Sequence, residues 1–313
     1  MTAERKLRVA VLVGGDSAER EVSLRTGEQV MAALSVARYD AFVVDALALR
    51  GIDGAQALWE RRPDVVFIAL HGPHGEDGSV QGLLDLLGLP YTGSGVLASA
   101  LAMDKAMCKR VLRGEGIPTP WSLAVTSVPE CPEELPVPLV AKPNAQGSSF
   151  GMSIIHAHRE VAAAVDLALQ FDSVCLLEEF ITGTEITVSV LGNGDAVALP
   201  VIEIIPKAEF YDFDSKYQAG GSTHIIPARI SDAAAAKARE YALRCHSALG
   251  CRGMSRTDMI VNGDDAVVLE VNTIPGMTPT SLLPDAARAA GISFSEVLDR
   301  LIASALAGHT TDN

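Results

Sequence analysis

No C-x-x-C pair occurs in this chain, and its five cysteines (Cys108, Cys131, Cys175, Cys245 and Cys251) are scattered and odd in number. The pattern argues against a zinc site or a disulfide framework and for reduced thiols in a cytoplasm. No apolar run reaches the length of a membrane-spanning helix, although 48% of the residues are hydrophobic. The polar, basic start Met1–Arg8 leads into Val9–Val13, which stops at Gly14-Gly15 and so reads as a first strand, not a signal peptide. Positive charge is short as well. The 25 Lys+Arg against 39 Asp+Glu give a net charge of −14, which argues against a nucleic-acid surface or an anionic membrane as partner. An acidic chain must bind phosphates with a few local cations, backbone N–H groups and metal ions. Two common phosphate signatures are also missing, the G-x-x-x-x-G-K-[ST] P-loop and the dinucleotide G-x-G-x-x-G fingerprint.

What the chain does have is alternation. LRVAVLV (7–13), YDAFVVDA and DVVFIAL (64–70) read as parallel strands, with a helix starting near Ser17 and a short one around Gln56–Arg61. Such a βα pattern implies a parallel sheet covered on both faces. The glycine-rich HGPHGEDGS follows the third strand and leads to a helix from Val80, and the unit closes near Gly93-Ser94-Gly95. One helix is expected over Val96–Arg113. After GIPTP come short strands, WSLAV, PLVAK, MSIIHA, CLLEEFI, EITVSVL and AVALPVIEII, with a helix near Arg159–Phe171. Runs of adjacent strands suit an antiparallel α+β arrangement. Residues 207–228 (KAEFYDFDSKYQAGGSTHIIPA) show little regular pattern and are long enough to be a lid. A helix over Asp232–Leu249, a hairpin over Thr257–Asn272 and two C-terminal helices complete the chain. At 313 residues it is expected to split into two or three domains.

The hairpin carries the first chemical signal. SRTDMIV and AVVLEVN flank the turn signal NGDD. A loop over Asn262–Ala266 would pair Val261 with Val267, put Asp258 opposite Glu270 and leave Asn272 two residues further on the same face. Two carboxylates and an amide oxygen would then converge, an oxygen-rich set suited to Mg²⁺ shared with phosphates. A solvated strand face is the weaker reading, because valine, leucine and isoleucine fill nearly every other position.

LVAKPNAQGSSFGM places Lys142 at the end of an apolar strand, before a loop containing Gly147, Ser148, Ser149 and Gly151. Small residues let backbone N–H groups approach a polyphosphate, and the lysine adds a point charge. A plain hairpin turn explains the stretch about equally well. Lys105, in ALAMDKAMCKR, reads by itself as a solvated lysine on an amphipathic helix. LLEEFITGTEITV carries Glu178, Glu179 and Glu185 where two strands meet at a short linker, a place for a purine between domains. Surface carboxylates are the default reading there.

Taken in order along nearly the whole chain, GGDSAEREVSLRTG, ALHGPHGEDGSVQGLLDLLGLPYTGSG, ASALAMDK, AKPNAQGSSFGM, FYDFDSKY, GMSRTDMIV and LEVNTIPGMTPTSLLP resemble the ATP-grasp superfamily, and within it the D-alanine–D-alanine ligase family. The resemblance implies a fold of mixed α/β and α+β character. Its three domains would be an N-terminal Rossmann-like parallel-sheet domain on the substrate side (1–95), a central ATP-grasp domain (96–180) and a C-terminal one with the metal and acceptor sites (181–313). It implies ligation of two D-alanines through a D-alanyl phosphate, with ATP as co-substrate, for peptidoglycan synthesis. Two Mg²⁺ ions per site, replaceable by Mn²⁺, would be held by Asp258, Glu270 and Asn272.

The same resemblance assigns Lys105 and Lys142 to the α/β-phosphates, with Ser149 in the phosphate loop. Adenine would lie at Glu178, Glu179 and the backbone of Phe180-Ile181, and the ribose at Glu185. Glu19 would hold the first D-alanine's ammonium, linked through Ser148 and Tyr217, with His71 nearby. Ser281 and Leu282, aided by Lys216, would take the second D-alanine's carboxylate. Arg256 and the Gly276 N–H would stabilise the tetrahedral oxyanion. The family also implies a homodimer in the cytoplasm, with no nucleic-acid or membrane partner. Phe150 departs from the smaller aliphatic residue common in this loop, and Glu179 stands where some members carry lysine. Rival readings are a sister ligase using D-lactate or D-serine, an ATP-grasp enzyme for another carboxylate and amine, and a nucleotide-binding regulatory module without catalysis. Arg256, Glu19 and both metal carboxylates speak against the last.

Overall fold

The computed structural model describes residues 5–311 apart from 129–130, 133, 148–149 and 207–221. Its first sheet has the order β2-β1-β3, built from β1 (Leu7–Val13), β2 (Tyr39–Asp45) and β3 (Val65–Ile68), all parallel. The central strand β1 is apolar at nearly every position because both of its faces are covered. Helices α1 (Arg20–Ala33), α2 (Ile52–Glu60) and α3 (Ser79–Leu86) connect and follow these strands. α1 begins at Arg20, not near Ser17, because the Ser17 hydroxyl donates to His71 O at 2.7 Å and accepts the Glu19 N–H at 3.2 Å, which holds that turn open.

The single helix expected over Val96–Arg113 is two helices, α4 (Val96–Met103) and α5 (Lys105–Gly114). Asp104 breaks them: its backbone is extended, and its Oδ1 accepts the Met107 N–H at 2.9 Å, capping α5. Two more first-turn N–H groups of α5 are taken by Asn144, from Lys105 to its backbone oxygen at 3.2 Å and from Ala106 to its side chain at 2.8 Å. The break thereby fastens α5, and the lysines on it, to the end of a neighbouring strand.

A second sheet runs β4-β7-β5-β6, from β4 (Ser122–Val125), β5 (Leu139–Pro143), β6 (Ser153–Ile155) and β7 (Cys175–Glu179), with α6 (Val161–Ala168) packed on it. The third has six strands, β11-β10-β8-β12-β13 with β9 beside β8. These are β8 (Thr184–Leu191), β9 (Val197–Ala198), β10 (Ile202–Pro206), β11 (Ser222–Ile225), β12 (Met254–Asn262) and β13 (Asp265–Asn272). α7 (Asp232–Ala248) covers it, and α8 (Leu282–Ala289) and α9 (Phe294–Thr311) follow. All pairings in these two sheets are antiparallel. The expected lid is shorter than its sequence range at one end. Ser222–Ile225 pair with β10, and the Ala228 N–H donates to Val201 O at 3.0 Å. Residues 207–221 of that range lie outside the described residues.

The hairpin turn is tighter than expected. Asn262 pairs with Asp265 and Val261 with Ala266, leaving a two-residue turn in which Gly263 takes φ 61, as a two-residue hairpin loop requires at its first position. Were that register kept, Asp258 would miss Glu270. A bulge beside Asp258/Met259 leaves Leu269 as the extra residue, and Asp258 faces Glu270 after all. The C-terminal helices return to the first sheet: Leu283, Val297, Leu298 and Leu301 share a core with Val11 and Phe67. From the other side Ala102, Cys108 and Leu112 of α4 and α5 enter the core of the third sheet.

Candidate active site

Of the described residues singled out from the sequence as ligand-binding, metal-ligating or catalytic, all but Gly151 line one cavity of about 330 Å³ between the three sheets. Ser148, Ser149, Lys216 and Tyr217 lie outside the described residues. At one end, Glu19 stands at the N-terminal boundary of α1, its side chain making no capping hydrogen bond to the helix, and is buried, 6% exposed. The glycine-containing loop after β5 comes against it: a Cβ added to Gly147 would lie 3.0 Å from Glu19 Oε2. That loop is tethered from below by Gln146 Nε2 to Phe171 O (3.1 Å) and Ala145 N to Asp172 Oδ2 (2.6 Å). Phe150 stacks on Phe171 with ring centroids 6.3 Å apart, so the departure from a smaller residue is used as packing. His71 is buried beside Glu19, its Nε2 3.1 Å from Thr26 Oγ1 and its Nδ1 3.3 Å from Glu76 Oε1. Glu76 was not anticipated. Burial pushes its carboxyl above the usual range, partly offset by His71, and the neighbouring Glu19 adds to the rise.

In the middle of the cavity sit the cations. Lys105, read alone as a solvated lysine, is 8% exposed and donates to Gln146 O at 2.7 Å, with Glu270 Oε2 3.7 Å away. Glu178 is likewise no surface carboxylate. It is 3% exposed, with Lys142 Nζ 2.5 Å from Oε1 and Lys109 Nζ 3.1 Å from Oε2. Burial would raise its carboxyl, but the two ammonium groups outweigh this and hold it below the usual range. Lys142 is raised on balance, because Glu178 and Glu270 overcome its desolvation, whereas desolvation wins at Lys109 and lowers it. Lys109 escaped the sequence reading. The one available signal was its i, i+4 spacing from Lys105, which puts both on one face of a helix. The strand after Glu178 ends with the Phe180 N–H donating to Pro138 O at 3.3 Å; Glu179 is exposed, and Glu185 is half-buried at the cavity wall.

Opposite the lysines lies the hairpin. Asp258 accepts Thr187 Oγ1 at 2.6 Å and Arg256 Nε at 2.9 Å on Oδ1, and Arg256 Nη2 at 2.8 Å on Oδ2. The two-pronged pair fixes the guanidinium plane. Asn272 turns its Oδ1 to the Ile274 N–H at 2.8 Å and so starts the rigid segment that follows. There, Gly276 lies against Ser281, where an added Cβ would meet Ser281 Oγ at 2.9 Å. Ser281 Oγ accepts the Thr278 N–H at 3.0 Å and stands at the N-terminal boundary of α8, where Ser281 and Leu282 line the cavity. His224 of β11, also missed, lines the same wall and is held by Asp285 of α8, Nδ1 to Oδ2 2.8 Å. Sixty-one positions separate the pair, too far for any local pattern to join them.

The hairpin donors fit a hard cation. Among the described residues no group of three His, Cys, Asp or Glu is arranged to hold a metal ion. The set is two carboxylates across one ladder position plus an amide, all oxygen, which leaves room for phosphate oxygens to complete the coordination of Mg²⁺.

Comparison with known proteins gives the same outline. A family model described as "D-ala D-ala ligase C-terminus" matches residues 119–303, and one for the "D-ala D-ala ligase N-terminus" matches residues 50–94. A D-alanine–D-alanine ligase of Pelotomaculum thermopropionicum is 50% identical over 312 residues, covering 96% of this chain and 97% of the relative. The structure superposes with a TM-score of 0.83 on a Bacillus anthracis D-alanine–D-alanine ligase complexed with ATP, 33% identical, covering 98% of this chain and 100% of that one. A D-Ala:D-Ser ligase of Enterococcus faecalis gives a TM-score of 0.82 at 32% identity, covering 96% and 99%.

Proposed function

Because the chain belongs to the D-alanine–D-alanine ligase family, we infer that it joins two D-alanines at the expense of ATP and that the cavity just described is where it does so. The observation that carries this reading is the convergence, in one cavity, of a buried carboxylate, a set of lysines, two facing carboxylates with an arginine, and a helix start. These are the parts needed to activate one amino acid and deliver a second.

Glu19 holds the ammonium of the first D-alanine, so that its carboxylate points past Gly147 to the phosphates. Lys105 and Lys142 hold the α/β-phosphates, while Glu178, Glu179, the Phe180-Ile181 backbone and Glu185 receive the nucleoside. One carboxylate oxygen attacks the γ-phosphorus, the bond to the β-phosphate oxygen breaks, and ADP and D-alanyl phosphate result. Two Mg²⁺, or Mn²⁺ in their place, bound at Asp258, Glu270 and Asn272 would neutralise charge on the transferred phosphoryl group. Ser281 and Leu282 at the start of α8 receive the second D-alanine's carboxylate, where free N–H groups and the helix dipole favour an anion. Its amine, once deprotonated, attacks the acyl carbon. Arg256 and the Gly276 N–H stabilise the oxyanion, and phosphate leaves with the bridging oxygen. Ser148, Tyr217 and Lys216 complete the site in this proposal.

We keep the division at residues 95 and 180, supported by each sheet lying wholly inside one segment. A cytoplasmic location is proposed from the scattered thiols, with burial raising Cys108 to about 11 and Cys175 and Cys251 to about 12, and among the described residues no helix is long and apolar enough to cross a membrane. A homodimer is proposed, in keeping with the exposed leucines Leu86 and Leu97 on the contacting helices α3 and α4. Since a D-Ala:D-Ser ligase shares the fold, the acceptor is tested directly. With D-alanine, D-serine and D-lactate competing between pH 6 and 9, D-alanyl-D-alanine should dominate. A predominant depsipeptide or D-alanyl-D-serine would overturn the assignment.

A further inference from the structure

Glu178 is clasped by two lysines of unequal situation. Lys142 Nζ lies 2.5 Å from its Oε1, and Lys142 lines the cavity, with Glu270 and Asp258 also raising it, on the side where phosphates and metal would lie. Lys109 Nζ lies 3.1 Å from Oε2 but is 1% exposed and takes no part in lining the cavity. It is fixed from behind by a hydrogen bond to Leu269 O at 2.8 Å, the carbonyl of the bulge that brings Glu270 opposite Asp258. Its helix is in turn locked by the Asp104 cap and by Asn144. One lysine is therefore placed to move and the other is held.

The two demands on Lys142 conflict. An ammonium has three donors, but one held 2.5 Å from Glu178 must loosen that contact to reach a phosphate oxygen further out in the middle of the cavity. If it turns to the nucleotide, Glu178 loses a cation in a place where an uncompensated carboxylate is strongly disfavoured. We propose that Lys109 is a positioning residue, the standing counter-ion of Glu178, whose presence releases Lys142 to the phosphates of ATP. The proposal rests on the reading of the cavity as an ATP site and adds a division of labour within it. It also ties the nucleotide end to the metal hairpin, since the same ammonium holds the Leu269 bulge.

The test compares dissociation constants for ADP and for adenosine, both with Mg²⁺, in the native protein, Lys109→Met, Lys109→Arg and the double variant Lys109→Met/Glu178→Gln. Only a phosphate-bearing ligand draws Lys142 away from Glu178. Lys109→Met should therefore lose about tenfold or more in ADP affinity beyond any loss for adenosine. Lys109→Arg should retain part of the difference, and the double variant should recover most of it, because a neutral amide needs no counter-ion. Equal losses for both ligands, or no recovery in the double variant, would make Lys109 a packing residue and overturn the proposal. Should Lys109→Met fail to fold, the double variant is compared with Glu178→Gln alone. An unchanged ADP-to-adenosine ratio supports the proposal and a changed one rejects it. A native protein that binds no ADP would instead refute the ATP site itself.

Discussion

Replacing Thr187 by valine isolates the support beneath Asp258. Thr187 is fully buried on β8, and its Oγ1 donates to Asp258 Oδ1 at 2.6 Å. Valine keeps the branched shape and suits a strand equally well, so the change removes one hydroxyl and little else. A hydrogen bond to a charged group contributes about 1.5–3 kcal/mol, and burying a methyl instead of a hydroxyl returns about 0.8 kcal/mol, so a net loss of about 1–2 kcal/mol is expected. Asp258 would then be oriented by Arg256 alone. If Asp258 is a metal ligand, losing such an outer partner should weaken Mg²⁺ roughly 10–100-fold. ADP release titrated with Mg²⁺ reads the second effect, and urea unfolding without metal reads the first. An unchanged Mg²⁺ requirement beside a measurable stability loss would show that Asp258 serves the sheet and not the metal.

Glu270→Gln should nearly abolish turnover while leaving the unfolding transition close to native, and near-normal activity at saturating Mg²⁺ would remove the hairpin from the mechanism. Asp104→Ala removes the α5 cap and should cost about 1 kcal/mol of stability, with a rise in the KM for ATP because Lys105 sits in the freed turn; an unchanged KM would detach the cap from the site. Glu76 has its carboxyl raised by burial, so its contribution to stability is present below the ordinary carboxylate value and is lost as pH rises through the raised one. Glu76→Gln should thus be more stable than the native protein at pH 8 and no more stable in acid. A gain that persists unchanged at pH 4 would contradict the burial argument.

The strands of the first sheet were legible because continuous β-branched runs between glycine turns have few other outcomes. Asp258 and Glu270 were also placed opposite each other, though by two offsetting features: the turn has two residues in place of five, which moves the register by one, and the Leu269 bulge restores the alignment. Hairpin counting cannot see a bulge that a lysine from another helix stabilises. Lys105 and Lys109 were misjudged or missed for a related reason. Helical periodicity marks a polar face without saying whether water or a cleft lies beyond it, and here the cleft is closed by Asn144 and the hairpin. The break at Asp104 was hidden because MDKAMC continues a good helical pattern, and the competing side-chain cap shows only once Asn144 offers partners to the next turn. His224 and Asp285 belong to elements whose adjacency is purely tertiary.

The central claim is that a D-alanine carboxylate becomes an acyl phosphate in this cavity, and isotope transfer tests it most directly. D-Alanine labelled with ¹⁸O in both carboxylate oxygens is turned over with ATP and Mg²⁺, and the released phosphate is examined by mass spectrometry. Attack of a carboxylate oxygen on the γ-phosphorus, followed by loss of phosphate to the second amine, predicts one ¹⁸O in each phosphate released with dipeptide. Unlabelled phosphate accompanying dipeptide formation would contradict the account.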